Sequence, residues 1–421
     1  MAEVEVAEDT GAPAAGPRGL TRRRLLLGGA VVLAAGGGGL GYALDRRGGT
    51  RRPAAPGVPE LADVTALLDR QAAAVRRRDR AGFLAPIDTA QSAYLTRMEQ
   101  VFDDLMKLPL SGWRQTVDPL PAVAHGAYGA VVRVTQRYRL TGFDRGDVVG
   151  TRYLTLTRRG GPWMIAGDGT RAGMADDAQI WDDGPLTVAR GRHSLVIGTG
   201  TLLAEVARRL DEAVPIVSGV VGDGWARTVV ALAPADDQQV EGLLGDGQGL
   251  RDIAALATVT KDPAGHGQDR IIITPDGFGK LNALGRHVVL THELTHIATG
   301  AAKDGRTPLW LIEGLADYVG YKGTGAATGA VARELKAGRP PANLPGPDDF
   351  GSSSDHLPQA YEEAWLACRM IAQRYGEPAL MRLYRAAGRQ DADAACRGVL
   401  GRTLAELTAD WRAYVHHTLG S

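Results

Sequence analysis

The sequence predicts an α+β protein of two domains, and three observations carry that reading. Residues 60–107 carry two helical patterns, followed by four runs of strand character that end near residue 169. Residues 185–275 then alternate strand and helix patterns, which suits a mixed sheet. The remainder, from about residue 284, reads as mainly helical. The 421 residues suffice for two or three domains. Lys plus Arg and Asp plus Glu both number 48, so the net charge is zero and no broad electrostatic partner is implied, nucleic acid included.

Taken in order, residues 1–20 are polar and rich in Pro and Ala, the composition of a disordered tail. Residues 21–45 begin "TRRRLLLGG" and contain an uncharged run, Leu25 to Leu44, long enough to cross a bilayer. The start resembles a twin-arginine export signal, with a Gly- and Ala-rich apolar core. No clear A-x-A cleavage site follows, and arginines flank the run equally, so charge does not settle orientation. The expectation is a single-pass anchor in the cell membrane with the bulk of the chain outside the cytoplasm. The alternative is secretion by the twin-arginine route. Residues 46–58 form a Pro/Gly/Arg linker.

Residues 59–172 begin with a helix that places Val64, Leu67, Leu68 and Val75 on one side. A second helix follows at about 90–107, then "GWRQTVDPL", "GAVVRVTQRYRL", "VVGTRYLTLTRR" and "PWMIAGDG". This order of elements resembles the nuclear-transport-factor-2-like (SnoaL-type) modules, which implies a cystatin-like cone. No acid/base constellation stands out in it, so it reads as a scaffold or binding module. A second domain is expected over 175–421.

Within that domain, "THELTHIATG" (291–300) puts His292 and His296 about 40° apart on one helix face, so both imidazoles can reach one ion. Glu293 sits one step round, beside the ion without ligating it. Val289, Leu290, Leu294 and Ile297 supply an apolar side, and Gly300 a C-cap. His287 lies about 140° from His292 and should not join the site. A catalytic zinc usually takes three protein ligands. "PLWLIEGLADYVG" (308–320) offers Glu313 on a second helix packed against the first, with Gly314 allowing close approach. Asp317 shares the face of Glu313 and can accept a hydrogen bond from the free ring nitrogen of a ligating histidine.

H-E-x-x-H followed by W-L-x-E-G-x-A resembles the gluzincin zinc metallopeptidases, over roughly residues 180–421. The resemblance implies a thermolysin-like catalytic domain with a mixed sheet and a mainly helical C-terminal part. It implies Zn2+ held by His292, His296 and Glu313, Glu293 as general base, Asp317 behind a ligand, and a peptide or protein substrate. "QAYEEAWLACRMIAQRYG" resembles the helix after the zinc site in aminopeptidase-type members, where its opening Tyr donates to the oxyanion; Tyr361 holds that position, with His356 and Tyr318 as weaker candidates. The G-x-M-E-N strand of the aminopeptidases is missing, which favours an endopeptidase. "QDRIIITPDGF" (268–278) is the expected sheet edge on which a peptide would pair.

The competing reading is a membrane-tethered, non-catalytic protein that binds metal or a partner, although such proteins commonly lose the motif glutamate. Cys368 and Cys396 leave two outcomes open, a disulfide or two buried free thiols. Leu404, Leu407, Trp411 and Val415 should face inward on a final helix.

Overall fold

The computed structural model describes residues 58–118, 123–124, 129–244, 253–260, 267–300, 305–325, 333, 340–351, 354 and 356–419. The expected tail (1–20), apolar anchor (21–45) and nearly all of the linker (46–58) lie outside the described residues. Among the described residues, no helix is long and apolar enough to cross a membrane.

The N-terminal unit is three helices and an antiparallel sheet. Helix α1 (Leu61–Arg77) buries Val64, Leu67, Leu68 and Val75, the stripe its periodicity predicts. It stops at Arg78, whose left-handed backbone (φ 59°) lets its amide bond Ala74 and Val75 carbonyls. Asp79 then caps α2 (Arg80–Leu84) by accepting from the Gly82 amide. Helix α3 spans Ser92–Leu105. Strands β1 (Leu110–Val117), β3 (Ala130–Leu140), β4 (Val148–Thr157) and β5 (Met164–Asp168) pair in that order, and the short β2 (Val123–Ala124) pairs with β3. A register shift between Ser111 and Arg114 bends β1, and Gly112 there has φ 65°, a conformation that favours glycine.

The second sheet has the order β6-β7-β8-β10-β9. Its strands are β6 (Thr187–Arg190), β7 (Ser194–Gly198), β8 (Val229–Ala233), β9 (Ala255–Val259) and β10 (Asp269–Ile273). β7, β8 and β10 run parallel, while β6 and β9 pair antiparallel at the two edges. The parallel step from β7 to β8 uses helix α4 (Leu203–Val221) as its crossover. Helix α5 (Asp237–Leu244) follows β8.

The expected edge strand at 268–278 is corrected on two counts. The strand ends at Ile273, because Pro275 opens a short helix, α6 (Pro275–Gly279). β10 is also interior, flanked by β8 and β9, and among the described residues β9 is the edge strand on that side. A run of three isoleucines reads as a strand, but a strand buried on both sides is what such a run fits best.

Helices α7 (Ala283–Thr299), α8 (Leu309–Gly320), α9 (Leu357–Tyr375), α10 (Glu377–Ala387), α11 (Ala392–Leu400) and α12 (Leu404–Leu419) complete the chain. From Val288 to His296, α7 is buried on every side, because α4, α8 and the sheet enclose it. Gly314 does make a close approach, but to α9: a Cβ there would sit 2.3 Å from the Ala364 carbonyl oxygen. Gly320 is the residue that lets α8 approach α7, at the Val288 carbonyl. On α12, Leu407, Trp411 and Val415 are buried and Leu404 packs against them in part. Cys368 and Cys396 are both buried free thiols.

The two faces of the second sheet serve different cores. Val196, Ala231, Ile271 and Ile273 face the helices α4, α7, α8 and α9. Leu195, Ile197 and Val230 face the other way, onto Phe83, Phe102, Trp113 and Trp181. The N-terminal unit therefore covers the sheet face opposite the helices.

Candidate metal centre

Helix α7 begins where Asn282 accepts from the Gly285 amide and ends at Gly300, with φ 65°. Thr291, Thr295 and Thr299 each donate a hydroxyl to the carbonyl four residues back, so their polar groups are satisfied within the helix. The histidines between them are free to point elsewhere. Their Nε2 atoms face each other at 2.9 Å. Glu313 Oε2, from α8, lies 3.2 Å from His292 Nε2 and 3.5 Å from His296 Nε2. One donor atom from each of the three residues falls within 4.8 Å of the others.

Asp317 Oδ1 lies 2.8 Å from His292 Nδ1. A carboxylate accepts, so Nδ1–H donates and the Nε2 lone pair points into the cluster. Neither oxygen of Glu313 accepts a hydrogen bond among the described residues, although Glu313 is 1% exposed. A buried carboxylate without hydrogen bonds is costly unless a cation meets it. Two imidazole Nε2 atoms and this carboxylate converging on one point make the donor set that Zn2+ takes. The residues therefore fit a metal ion.

Without an ion, the buried carboxylates and imidazoles shift one another. Burial alone would pull His292 below the usual histidine range, but Asp317 and Glu313 outweigh it and hold it well above. Burial would push Glu313 up, yet His296 and His292 bring it down to about 2. Glu293 is pushed up, chiefly by burial, against the pull of both histidines.

Glu293 projects beside the cluster toward β9. Its Oε2 accepts from the Ala257 amide at 2.7 Å, and its Oε1 has no partner among the described residues. The ladder explains this contact. Thr274 N donates to Ala254 O and Thr260 N to Gln268 O, so the even-numbered residues of β9 bond to β10. Ala255, Ala257 and Val259 then turn their amides and carbonyls to the free edge, and Glu293 occupies one of them.

Tyr361, near the start of α9, is buried with its ring centroid 6.2 Å from that of His292, and Phe350 packs edge-on against it at 5.3 Å. Tyr318 is turned elsewhere: its hydroxyl donates to Glu377 at 2.6 Å. His356 is exposed at the cap of α9. His287 is half-buried, pulled down mainly by burial, and stands outside the cluster. Sequence reasoning missed the Ala257 amide, because a backbone donor leaves no mark in residue type. The alternation in "IAALATVT" marks the strand but not which of its sides is free.

No family model matches the chain, and a search of curated proteins finds no match. Solved structures of M1 zinc metallopeptidases do match. A two-domain M1 enzyme, a glutamate-to-alanine variant bound to L-tryptophan, is 17% identical with a TM-score of 0.31, over 62% of this chain and 58% of that one. The chain thus spans little more than half the length of that relative. An M1 enzyme of Deinococcus radiodurans, the same kind of variant bound to a Tyr-Ser-Ala substrate, is 15% identical with a TM-score of 0.31, over 73% of this chain and 69% of that one. A likeness this slight decides nothing about activity.

Proposed function

We propose that the protein is a zinc-dependent peptidase, an endopeptidase rather than an aminopeptidase. The observation that carries this reading is Glu313: a buried carboxylate, without hydrogen bonds among the described residues, facing two imidazole Nε2 atoms. His292, His296 and Glu313 hold the metal, and Asp317 fixes the ring of His292 in the ligating tautomer. Bound Zn2+ would polarise the scissile carbonyl and lower the pKa of its water toward about 7.

The chain's own residues do the rest. Glu293 takes the proton as water attacks and passes it to the leaving amine. Its burial favours the proton it takes up. Tyr361 donates to the oxygen that becomes anionic. The free edge of β9 supplies outward amides and carbonyls beside Glu293, the pairing surface that an extended peptide needs.

The test is metal content and hydrolysis on the purified full chain. About one zinc per chain and cleavage of denatured casein are expected. Glu293→Gln should retain the zinc and lose hydrolysis by roughly 10²- to 10⁴-fold. Full activity in that variant removes the base from the mechanism. Stoichiometric zinc without any cleavage by the wild type makes the protein a non-catalytic metal binder.

A further inference from the structure

The turn between β3 and β4, residues 141–147, reaches across from the N-terminal unit to β10. Asp144 Oδ1 pairs with Arg270 Nη1 at 2.8 Å, with side chains 0% and 4% exposed. The second oxygen of Asp144 accepts from the Leu140 amide at 2.8 Å, so one carboxylate ties its own turn and the second sheet together. Gln268 makes the next tie. Its Oε1 accepts from the amides of Arg145 (2.9 Å) and Gly146 (3.2 Å).

Both tied residues bear directly on β9. Gln268 exchanges backbone contacts with Thr260: its amide donates to Thr260 Oγ1 and its carbonyl accepts from Thr260 N, each at 2.8 Å. Arg270 stands opposite Thr258, the neighbour of Ala257. Among the described residues β9 pairs with one strand only, β10, so its position depends on β10 and what holds β10, together with helix α7 packed on it. The Ala257 amide in turn holds Glu293. A continuous path thus runs from the turn of the N-terminal unit, through Gln268 and Arg270, to the carboxylate beside the metal cluster.

A buried ion pair is weak evidence for added stability, since desolvation offsets most of the attraction. Such pairs do specify position, because only one register satisfies both charges. A carboxylate acting as base must be placed to within a fraction of an ångström, and small displacements far from the chemistry are felt there.

We propose that Asp144 and Gln268 are positioning residues for Glu293: the N-terminal unit holds β10 and β9 so that the Ala257 amide aims the base. This rests on the reading of Glu293 as the general base. A role as mere adhesive between the two units would cost stability in a variant and leave the folded, metal-loaded molecules with normal turnover.

The experiment uses the full chain and three measurements: hydrogen exchange over residues 254–260, zinc content, and kcat and KM on a casein-derived peptide. Asp144→Asn should keep its zinc, speed exchange at Ala257 by at least about tenfold, and lower kcat by roughly 10- to 10²-fold with KM little changed. Gln268→Ala, a milder change, should move both quantities in the same direction and serves if Asp144→Asn does not fold. Joining Arg270→Gln to Asp144→Asn removes the stranded charge and should recover part of both losses. Unchanged exchange at Ala257, or unchanged kcat, in folded zinc-loaded variants overturns the proposal, as does a double variant no better than Asp144→Asn. If the wild type cleaves nothing, the peptidase reading fails, while the exchange at Ala257 still decides whether the turn holds β9.

Discussion

Two charge clusters, one half-buried in the N-terminal unit and one fully buried at the candidate metal centre, are finished differently. In the N-terminal unit, Arg152 makes two parallel contacts to Asp182, at 3.0 and 2.7 Å, and a third to Asp176 at 3.2 Å. The remaining acceptor capacity is used as well: Asp176 takes the Tyr153 amide at 2.7 Å and Asp182 the Gln179 amide at 2.8 Å. Every charge there meets its opposite inside the protein. At the candidate metal centre, Glu313 and one oxygen of Glu293 accept nothing among the described residues. Burying charge is therefore not what marks a site. The mark here is a buried carboxylate with both oxygens unmet among the described residues, set beside two imidazole nitrogens.

The largest test of this contrast removes the unmet carboxylate. Glu313→Ala should lower zinc affinity by roughly 10³-fold or more and abolish hydrolysis, since two imidazoles do not complete the donor set. A variant that still carries one tight zinc per chain would show that the ligands lie elsewhere. The matching change in the finished cluster is Arg152→Met. It strands Asp176 and Asp182 and should cost about 3–5 kcal/mol, read as a lower denaturant midpoint. Zinc content and kcat of the folded protein should stay as they were. Loss of zinc at constant fold in Arg152→Met would mean that the two clusters are coupled and the contrast is false.

A smaller effect is expected at Tyr361. Its ring packs near His292 and it is not one of the three proposed ligands, so Tyr361→Phe should preserve zinc and KM while lowering kcat by about 10²- to 10³-fold. The structure narrows the rivals, with the Tyr318 hydroxyl committed to Glu377 and His356 exposed. Undiminished kcat in Tyr361→Phe would leave stabilisation of the oxyanion to the metal.

What could be read in the sequence follows the range of the interactions. His292, His296 and Asp317 obey helical spacing, four residues and one turn, and periodicity is a local property. Elements were legible for the same reason: α1, α7 and α12 announce themselves through one apolar side, and α7 through Gly300 as well. Strand order was not. Nothing in "RIIIT" or "ATVT" states which will lie at the edge, because that depends on where β8 docks, and the expectation chose the wrong strand. Gly314 was read as a close-approach glycine, which it is, but its partner is Ala364 on a helix some fifty residues on. Asp144 and Arg270 stand 126 positions apart and carry no motif. The anchor and tail at 1–57 lie outside the described residues and rest on composition alone.

The smallest effect expected here is also the most discriminating, because it concerns a carboxylate that is satisfied yet belongs to the unfinished cluster. Asp317 meets His292 Nδ1 at 2.8 Å and does not itself face the converging lone pairs. Asp317→Asn keeps an acceptor for that N–H, so the ring should hold its place, and zinc affinity should fall by only about 10- to 100-fold. The pH dependence then separates orientation from charge. In the metal-free protein, burial opposes the protonated form of His292 and the carboxylates of Asp317 and Glu313 more than compensate, holding it well above the usual range. Protons and zinc compete for that imidazole, so zinc affinity should rise with pH until the pH passes the raised pKa of His292, and then level off. Removing the Asp317 charge leaves burial less opposed, lowers the pKa of His292, and should move the levelling to lower pH. At acid pH this relief partly offsets the lost ligand support, so the gap between variant and wild type should narrow as pH falls. Titrations of zinc affinity against pH for the two proteins check this. Parallel curves, equally spaced at every pH, would mean that Asp317 acts on His292 only by orientation and contributes nothing through its charge.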